Sequence, residues 1–273
     1  MWPLATESSA PVEEGAELAE GLTVLEHLSR NQVLDVYDVW DAERYCRCVA
    51  KTPRPDHLAD ARAIEGLRLE GELLSTFAHP HIVRAYEVRD EPQPILLLET
   101  LSGEMLDHLI AAGTRRMQVG QLAVLGIHLG SAIRYLHRAG YLHLDLKPSN
   151  VVVDQGFAKL LDLSLTRPPG PGPQGLGTRR YLAPEQALGE PFTAATDVWG
   201  LGMVLYESAT RRLPFSALGT VKYPQVWVRA VPIRALRQRL PGDLAAAIDA
   251  CLASEPEQRP SVDTLLDVFA AVA

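Results

Sequence analysis

The sequence predicts an α+β fold: a small antiparallel sheet that carries one main helix, followed by a mainly helical part. Two observations predict it. Between residues 22 and 99, five short runs rich in β-branched residues are interrupted by a single stretch of helical periodicity. After Ser102–Gly103 the short runs give way to longer helical patterns.

Residues 1–20 hold five glutamates and no lysine or arginine, and read as an acidic flexible tail that includes Met1–Pro11. The strands expected next are Thr23–His27, Val33–Asp38 and Tyr45–Lys51. Leu58, Ala61, Ile64, Leu67, Leu73, Leu74 and Phe77 recur at three- and four-residue spacings, which predicts a helix over 58–77. Two further strands are expected at Ile82–Arg89 and Pro94–Glu99. Residues 118–139 form a strong helix pattern ended by Gly140. Arg167–Gly177, with four prolines and four glycines, reads as a loop, and helices resume after Pro184. This divides a folded domain over 21–273 into an N-lobe of about 21–100 and a C-lobe of about 103–273.

Composition narrows the function classes. Hydrophobic residues are 47% and charged residues 22%, the balance of a globular chain with a sizeable core. A formal charge of −8 argues against nucleic acid or an anionic membrane as partner, since both select basic patches. No segment is read as approaching the roughly 18 apolar residues that a membrane span needs, and no signal peptide is visible. Cys46, Cys48 and Cys251 have no framework spacing. They read as reduced thiols of a cytoplasmic protein, and Cys46 and Cys48 share one face of a strand rather than forming a bridge. His79 and His81 lie two apart with no further ligands at metal-site spacing.

The most specific stretch is His143-Leu144-Asp145-Leu146-Lys147-Pro148-Ser149-Asn150. Around it, in order, stand Val49-Ala50-Lys51 at the end of an expected strand, and Glu70 on the following helix nine residues before His79-Pro80. Asp162-Leu163-Ser164 comes after a β-like run, followed by Gly177-Thr178, Tyr181, Ala183-Pro184-Glu185, Asp197-Val198-Trp199-Gly200-Leu201-Gly202 and Arg259-Pro260. Taken together these resemble the eukaryotic-type (Hanks-type) serine/threonine protein kinase family over about 22–270. The compact pattern and the alanine, leucine, arginine and proline content point to a bacterial member.

The resemblance implies a two-lobed kinase fold and transfer of the γ-phosphate of ATP, with Mg²⁺, to serine or threonine of a protein or peptide. By the matched positions, Asp145 takes the proton of the attacking hydroxyl and Lys147 neutralises the transferring phosphate. Asn150 and Asp162 hold Mg²⁺. Lys51, paired with Glu70, orients the α- and β-phosphates. Val36, Val49 and Val152 lie against adenine, Leu98 guards the back of its pocket, and backbone near Glu99 and Leu101 bonds it. Thr178 sits beside the substrate, Glu185 pairs with Arg259, and Asp197 anchors the larger lobe. Arg179 and Arg180 suit an acidic substrate and equally suit an exposed loop.

Four departures stand out. Ser29-Arg30-Asn31-Gln32-Val33-Leu34-Asp35-Val36 lacks all three glycines of the loop that lets backbone amides approach phosphates. Asp35 is expected to add negative charge beside the triphosphate. Leu144 replaces an arginine that pairs with an activation-loop phosphate, and the hydroxyls between Asp162 and Glu185 (Ser164, Thr166, Thr178, Tyr181) avoid the middle of that loop. The expectation is that loop phosphorylation does not switch this protein. Leu163 and Ser164 replace phenylalanine and glycine, and Val49 replaces a small alanine. The retained charged groups favour an active kinase. The lost glycines, Leu144 and Ser164 favour the alternative, a pseudokinase acting as a binding scaffold or allosteric partner. Nucleotide binding and its metal dependence discriminate the two.

Overall fold

A computed structural model describes residues 10–113, 116–215 and 221–273. They form two compact units. One is the chain up to Ala78 together with Val83–Leu101; the other is His79–Ile82 with Ser102–Ala273. Residues 1–9 of the expected tail lie outside the described residues.

The first unit is a sheet with one main helix: β1 (Glu17–Ala19), β2 (Leu22–Arg30), β3 (Leu34–Asp41), β4 (Cys46–Pro53), α1 (Ala61–Thr76), β5 (Ala85–Arg89) and β6 (Ile95–Glu99). The strand order is β1-β2-β3-β4-β6-β5, antiparallel throughout. The side-chain period of two puts Tyr37, Val39, Cys48, Ala50, Ile95 and Leu97 into one core cluster with Leu22 and Val24. Leu18 and Ala19 join that cluster, which corrects the reading of 1–20 as a tail. Two apolar residues suffice to add a strand, and the exposed Glu17 and Glu20 beside them hid it in the composition.

α1 starts three residues later than the periodicity suggests. The Asp60 carboxylate accepts the Arg62 and Ala63 N–H groups and caps it there, leaving Leu58 outside. Gly71 packs directly on the sheet. A Cβ there would lie 2.2 Å from Val88 Cγ2, so only glycine lets this turn of α1, which carries the neighbouring Glu70, settle onto β5 and β6.

The second unit opens with a short sheet strand and is otherwise mainly helical: β7 (Glu104–Met105), α2 (Leu106–Ala112), α3 (Val119–Arg138), β8 (Val151–Asp154), β9 (Phe157–Leu160), α4 (Pro184–Leu188), α5 (Ala194–Thr210), α6 (Ile233–Leu236), α7 (Gly242–Cys251) and α8 (Val262–Ala270). β7, β8 and β9 form a small sheet. Nearly every residue of α5 is buried, and α3 and α7 pack against it. By length and apolar content α3 qualifies as a membrane span, contrary to the sequence reading. Its apolar residues are those of a core helix: Leu122, Leu125, Leu129, Ile133 and Leu136 are buried, in a helix packed on α5 and α8.

Candidate active site

In the first unit the register pairs Val36 with Lys51, Lys51 with Leu96 and Val49 with Leu98. Because paired residues share a face, Val36, Val49, Lys51 and Leu98 stand on one side of the sheet. The Lys51 ammonium contacts both carboxylate oxygens of Glu70, at 2.8 and 2.7 Å. Glu70 is fully buried on α1, so the pair ties helix to sheet. Glu99, at the end of β6, accepts the Arg84 N–H through its side chain at 2.9 Å, and Leu101 closes the unit, half-buried.

The segment that lacks glycines is a tight hairpin. Asn31 bonds across the turn to Leu34 through its backbone N–H at 2.9 Å. Its side-chain oxygen accepts the Val33 and Leu34 N–H groups at 2.9 and 2.7 Å. Arg54, just past the end of β4, grips the tip, donating to the Gln32 carbonyl at 3.1 Å. The tip amides are thus engaged internally. Asp35 corrects the sequence reading. It lies on the face opposite Val36 and Lys51, fully buried, clamped by Arg30 at 2.7 and 2.8 Å, with His27 at 3.0 Å and the Tyr37 hydroxyl at 3.2 Å. Burial pushes its carboxyl up, but the hydrogen bonds from Arg30 and His27 prevail and hold it below the usual range. Its charge is neutralised within the sheet.

In the second unit Asp197, on the first turn of α5, organises the loop that carries Asp145. Its buried carboxylate accepts the His143 and Leu144 N–H groups, both at 2.8 Å, and contacts His137 Nε2 at 2.8 Å. Burial alone would raise this carboxyl; the hydrogen bond from His137, the electrostatic attraction of His137 and His143 and the Leu144 N–H together outweigh it and lower it. Held this way, Leu144 takes a left-handed backbone with φ 67°, rare for a branched side chain. The buried His143 accepts the Asp145 N–H at Nδ1, so its proton lies on Nε2, which has no partner among the described residues. Burial keeps this imidazole neutral.

The candidate catalytic groups converge. Lys147 Nζ lies 2.6 Å from one Asp145 carboxylate oxygen and donates to Thr178 Oγ1 at 2.7 Å. The other Asp145 oxygen accepts the Thr178 N–H at 2.8 Å. Asn150 Nδ2 donates to the Asp145 carbonyl at 3.0 Å, which leaves Oδ1 as its acceptor atom. Leu161 donates to the Asn150 carbonyl at 2.9 Å, so Asp162 follows directly in the chain. A carboxylate and a carboxamide oxygen are hard donors that fit Mg²⁺. Asp162 itself accepts the Ser164 N–H at 2.9 Å. Val152 pairs with Lys159 and with Met105 in the small sheet.

Two supports lie behind this group. Arg259 makes a bidentate pair with Glu185 at 2.6 and 2.8 Å, bonds the Ala195, Ala253 and Ser254 carbonyls and stacks over Trp199. Leu144 packs with Leu142, Phe192 and Leu176. Sequence reasoning missed three contributors. His137 was read only as part of a helix, yet it lies two turns past the middle of α3 and reaches Asp197. Glu207 accepts the Tyr181 hydroxyl at 2.7 Å. Gln186 bonds the loops described above through its carboxamide. Arg179 and Arg180 are both exposed.

The protein kinase domain family matches this chain over residues 18–268. A probable serine/threonine-protein kinase of Streptomyces coelicolor is 30% identical over 75% of this chain and 32% of its own length. The serine/threonine-protein kinase PkaA of the same organism is 31% identical over 79% of this chain and 41% of its own length. The serine/threonine-protein kinase PknA of Mycobacterium tuberculosis is 29% identical over 86% of this chain and 58% of its own length. The chain therefore spans between 32% and 58% of the length of these relatives. With the antiparallel sheet, its single main helix and the helical unit that follows, this chain belongs to the serine/threonine protein kinase family.

Proposed function

We propose that this chain transfers the γ-phosphate of ATP to a serine or threonine hydroxyl of a protein or peptide. The observation that supports this most is the Asp145 carboxylate held by Lys147 on one oxygen and the Thr178 N–H on the other. The first oxygen also accepts Asn150 Nδ2 at 3.3 Å, and the oxygen that accepts the Thr178 N–H retains a second lone pair for a substrate hydroxyl. Asp145 accepts the hydroxyl proton as the bond to phosphorus forms, and Lys147 stabilises charge on the transferring group. In the first unit Lys51, held by Glu70, orients the α- and β-phosphates, and Val36, Val49 and Leu98 meet adenine with backbone near Glu99 and Leu101; in the second unit Val152 is the residue assigned to adenine. Asn150 and Asp162 would hold Mg²⁺, which when bound offsets phosphate charge. Such chemistry rests on positioning and preorganised electrostatics.

Transfer proceeds without a phosphate on the activation segment. The support is Leu144, packed with Leu176 and Phe192 in an apolar cluster where a phosphate-binding cation would otherwise stand. A phosphate mapped between residues 166 and 178 that raises activity would refute this.

The test is calorimetry of ATP with and without Mg²⁺ on wild type and Asp162→Asn. Binding that requires Mg²⁺ and weakens in the variant is expected. No binding at millimolar ATP would assign the chain to the second reading, a scaffold pseudokinase. One observation favours that reading: Asn31 occupies the Val33 and Leu34 amides that would otherwise meet phosphate. Accordingly, Asn31→Gly should raise ATP affinity by about tenfold, the worth of one hydrogen bond to a charged group. Adenosine affinity, measured in the same titrations, should not change.

A further inference from the structure

We infer that Gln186 is a positioning residue for phosphoryl transfer: its carboxamide clamps the backbone before Asp145 to the backbone before Gly177–Thr178, and so sets the Asp145 carboxylate against the Thr178 amide. Gln186 is buried on α4. Its Nε2 donates to the Leu144 carbonyl and to the Leu176 carbonyl, both at 2.9 Å. Its Oε1 accepts the Ala183 N–H at 2.9 Å. Two carbonyls require the NH₂ and one amide requires the oxygen, so the partners themselves define which way the carboxamide faces.

The two clamped carbonyls belong to the residues immediately before Asp145 and Gly177. The hydrogen bond from Thr178 N–H to Asp145 Oδ1 closes the same joint from the other side. The Leu144 peptide is thereby held at both ends, its N–H by Asp197 and its carbonyl by Gln186, which is what keeps a leucine in the left-handed region. Gly177 has φ +115°, and a Cβ there would stand 3.0 Å from the Leu144 oxygen and 3.4 Å from Gln186 Nε2. The two backbones approach this closely only because no side chain intervenes. Leu142, Leu144, Leu176 and Phe192 pack the same joint. The three Gln186 bonds are neutral, while the Asp197 and Asp145 carboxylates hold the neighbouring N–H groups.

The role in transfer rests on the proposed function; the clamp itself is measurable without it. Gln186→Met keeps the length and removes both donors. Gln186→Glu keeps an acceptor for the Ala183 N–H and sets a carboxylate against two carbonyls. In the full chain, the Thr178 amide should exchange with solvent at least about tenfold faster in both variants, while core amides of α3 keep their protection. With casein as acceptor, kcat should fall about 10–100-fold while KM for ATP stays within about twofold, as expected for misplaced rather than missing groups. Unchanged Thr178 exchange, or faster exchange spread evenly over α3 and α5, would overturn the clamp, as would a kcat within twofold of wild type in a folded variant. If Gln186→Met does not fold, Gln186→Glu decides by the same readouts. If the wild type transfers no phosphate, the proposed activity fails and the exchange measurement alone decides the clamp.

Discussion

Asp145→Asn lowers the rate of phosphoryl transfer by about 10²–10⁴-fold, the usual contribution of a positioned base, with ATP affinity unchanged. The asparagine oxygen still accepts the Thr178 N–H, so the loop geometry survives. What is lost is the proton acceptor and the anionic partner of Lys147, whose Nζ lies 2.6 Å from the carboxylate. Steady-state transfer beside calorimetric ATP binding separates these effects. Equal kcat in variant and wild type would remove Asp145 from the role of base, and a parallel loss of ATP affinity would make it a binding group instead.

Arg259→Ala destabilises the protein by about 3–5 kcal/mol, because it strands the buried Glu185 carboxylate without its counter-charge. The Arg259 side chain is fully inaccessible and that of Glu185 nearly so. The loss includes three carbonyl acceptors, at Ala195, Ala253 and Ser254, and the stacking over Trp199. The combined change Arg259→Met with Glu185→Leu should recover much of the loss, since removing both charges also removes their desolvation cost. Urea unfolding of the single and paired variants checks the order. A single variant within about 0.5 kcal/mol of wild type, the size of an ordinary surface change, would show the pair to be dispensable.

The charged positions were legible in the sequence because their chemistry constrains both type and spacing. Asp145, Lys147 and Asn150 fall within six residues of one another, and Lys51 falls within a β-strand, expected to end at Lys51 and found to run on to Pro53. The main helices were legible from apolar spacing, with ends displaced where capping decided them, as at Asp60. What escaped were groups whose role depends on where distant backbone arrives. Asp35 read as an unwelcome charge because alternation alone does not say that Arg30 lies across from it. Gln186 looked like an ordinary helical glutamine, since carbonyls from residues 144 and 176 leave no trace in composition. β1 was hidden because its contribution is two small apolar contacts in a segment dominated by glutamate.

That short strand has a consequence for self-association. A β-strand without a neighbour presents a row of open N–H and C=O groups that invites pairing with another chain. β1 covers the outer side of β2 at Leu22 and Thr23, close in sequence to the exposed Leu25 and Leu28. A cut after Glu20 would leave that edge bare and uncover the Leu22, Val24 and Tyr37 cluster. The acidic stretch thus guards the solubility of the sheet, a task invisible to any assay of phosphate transfer.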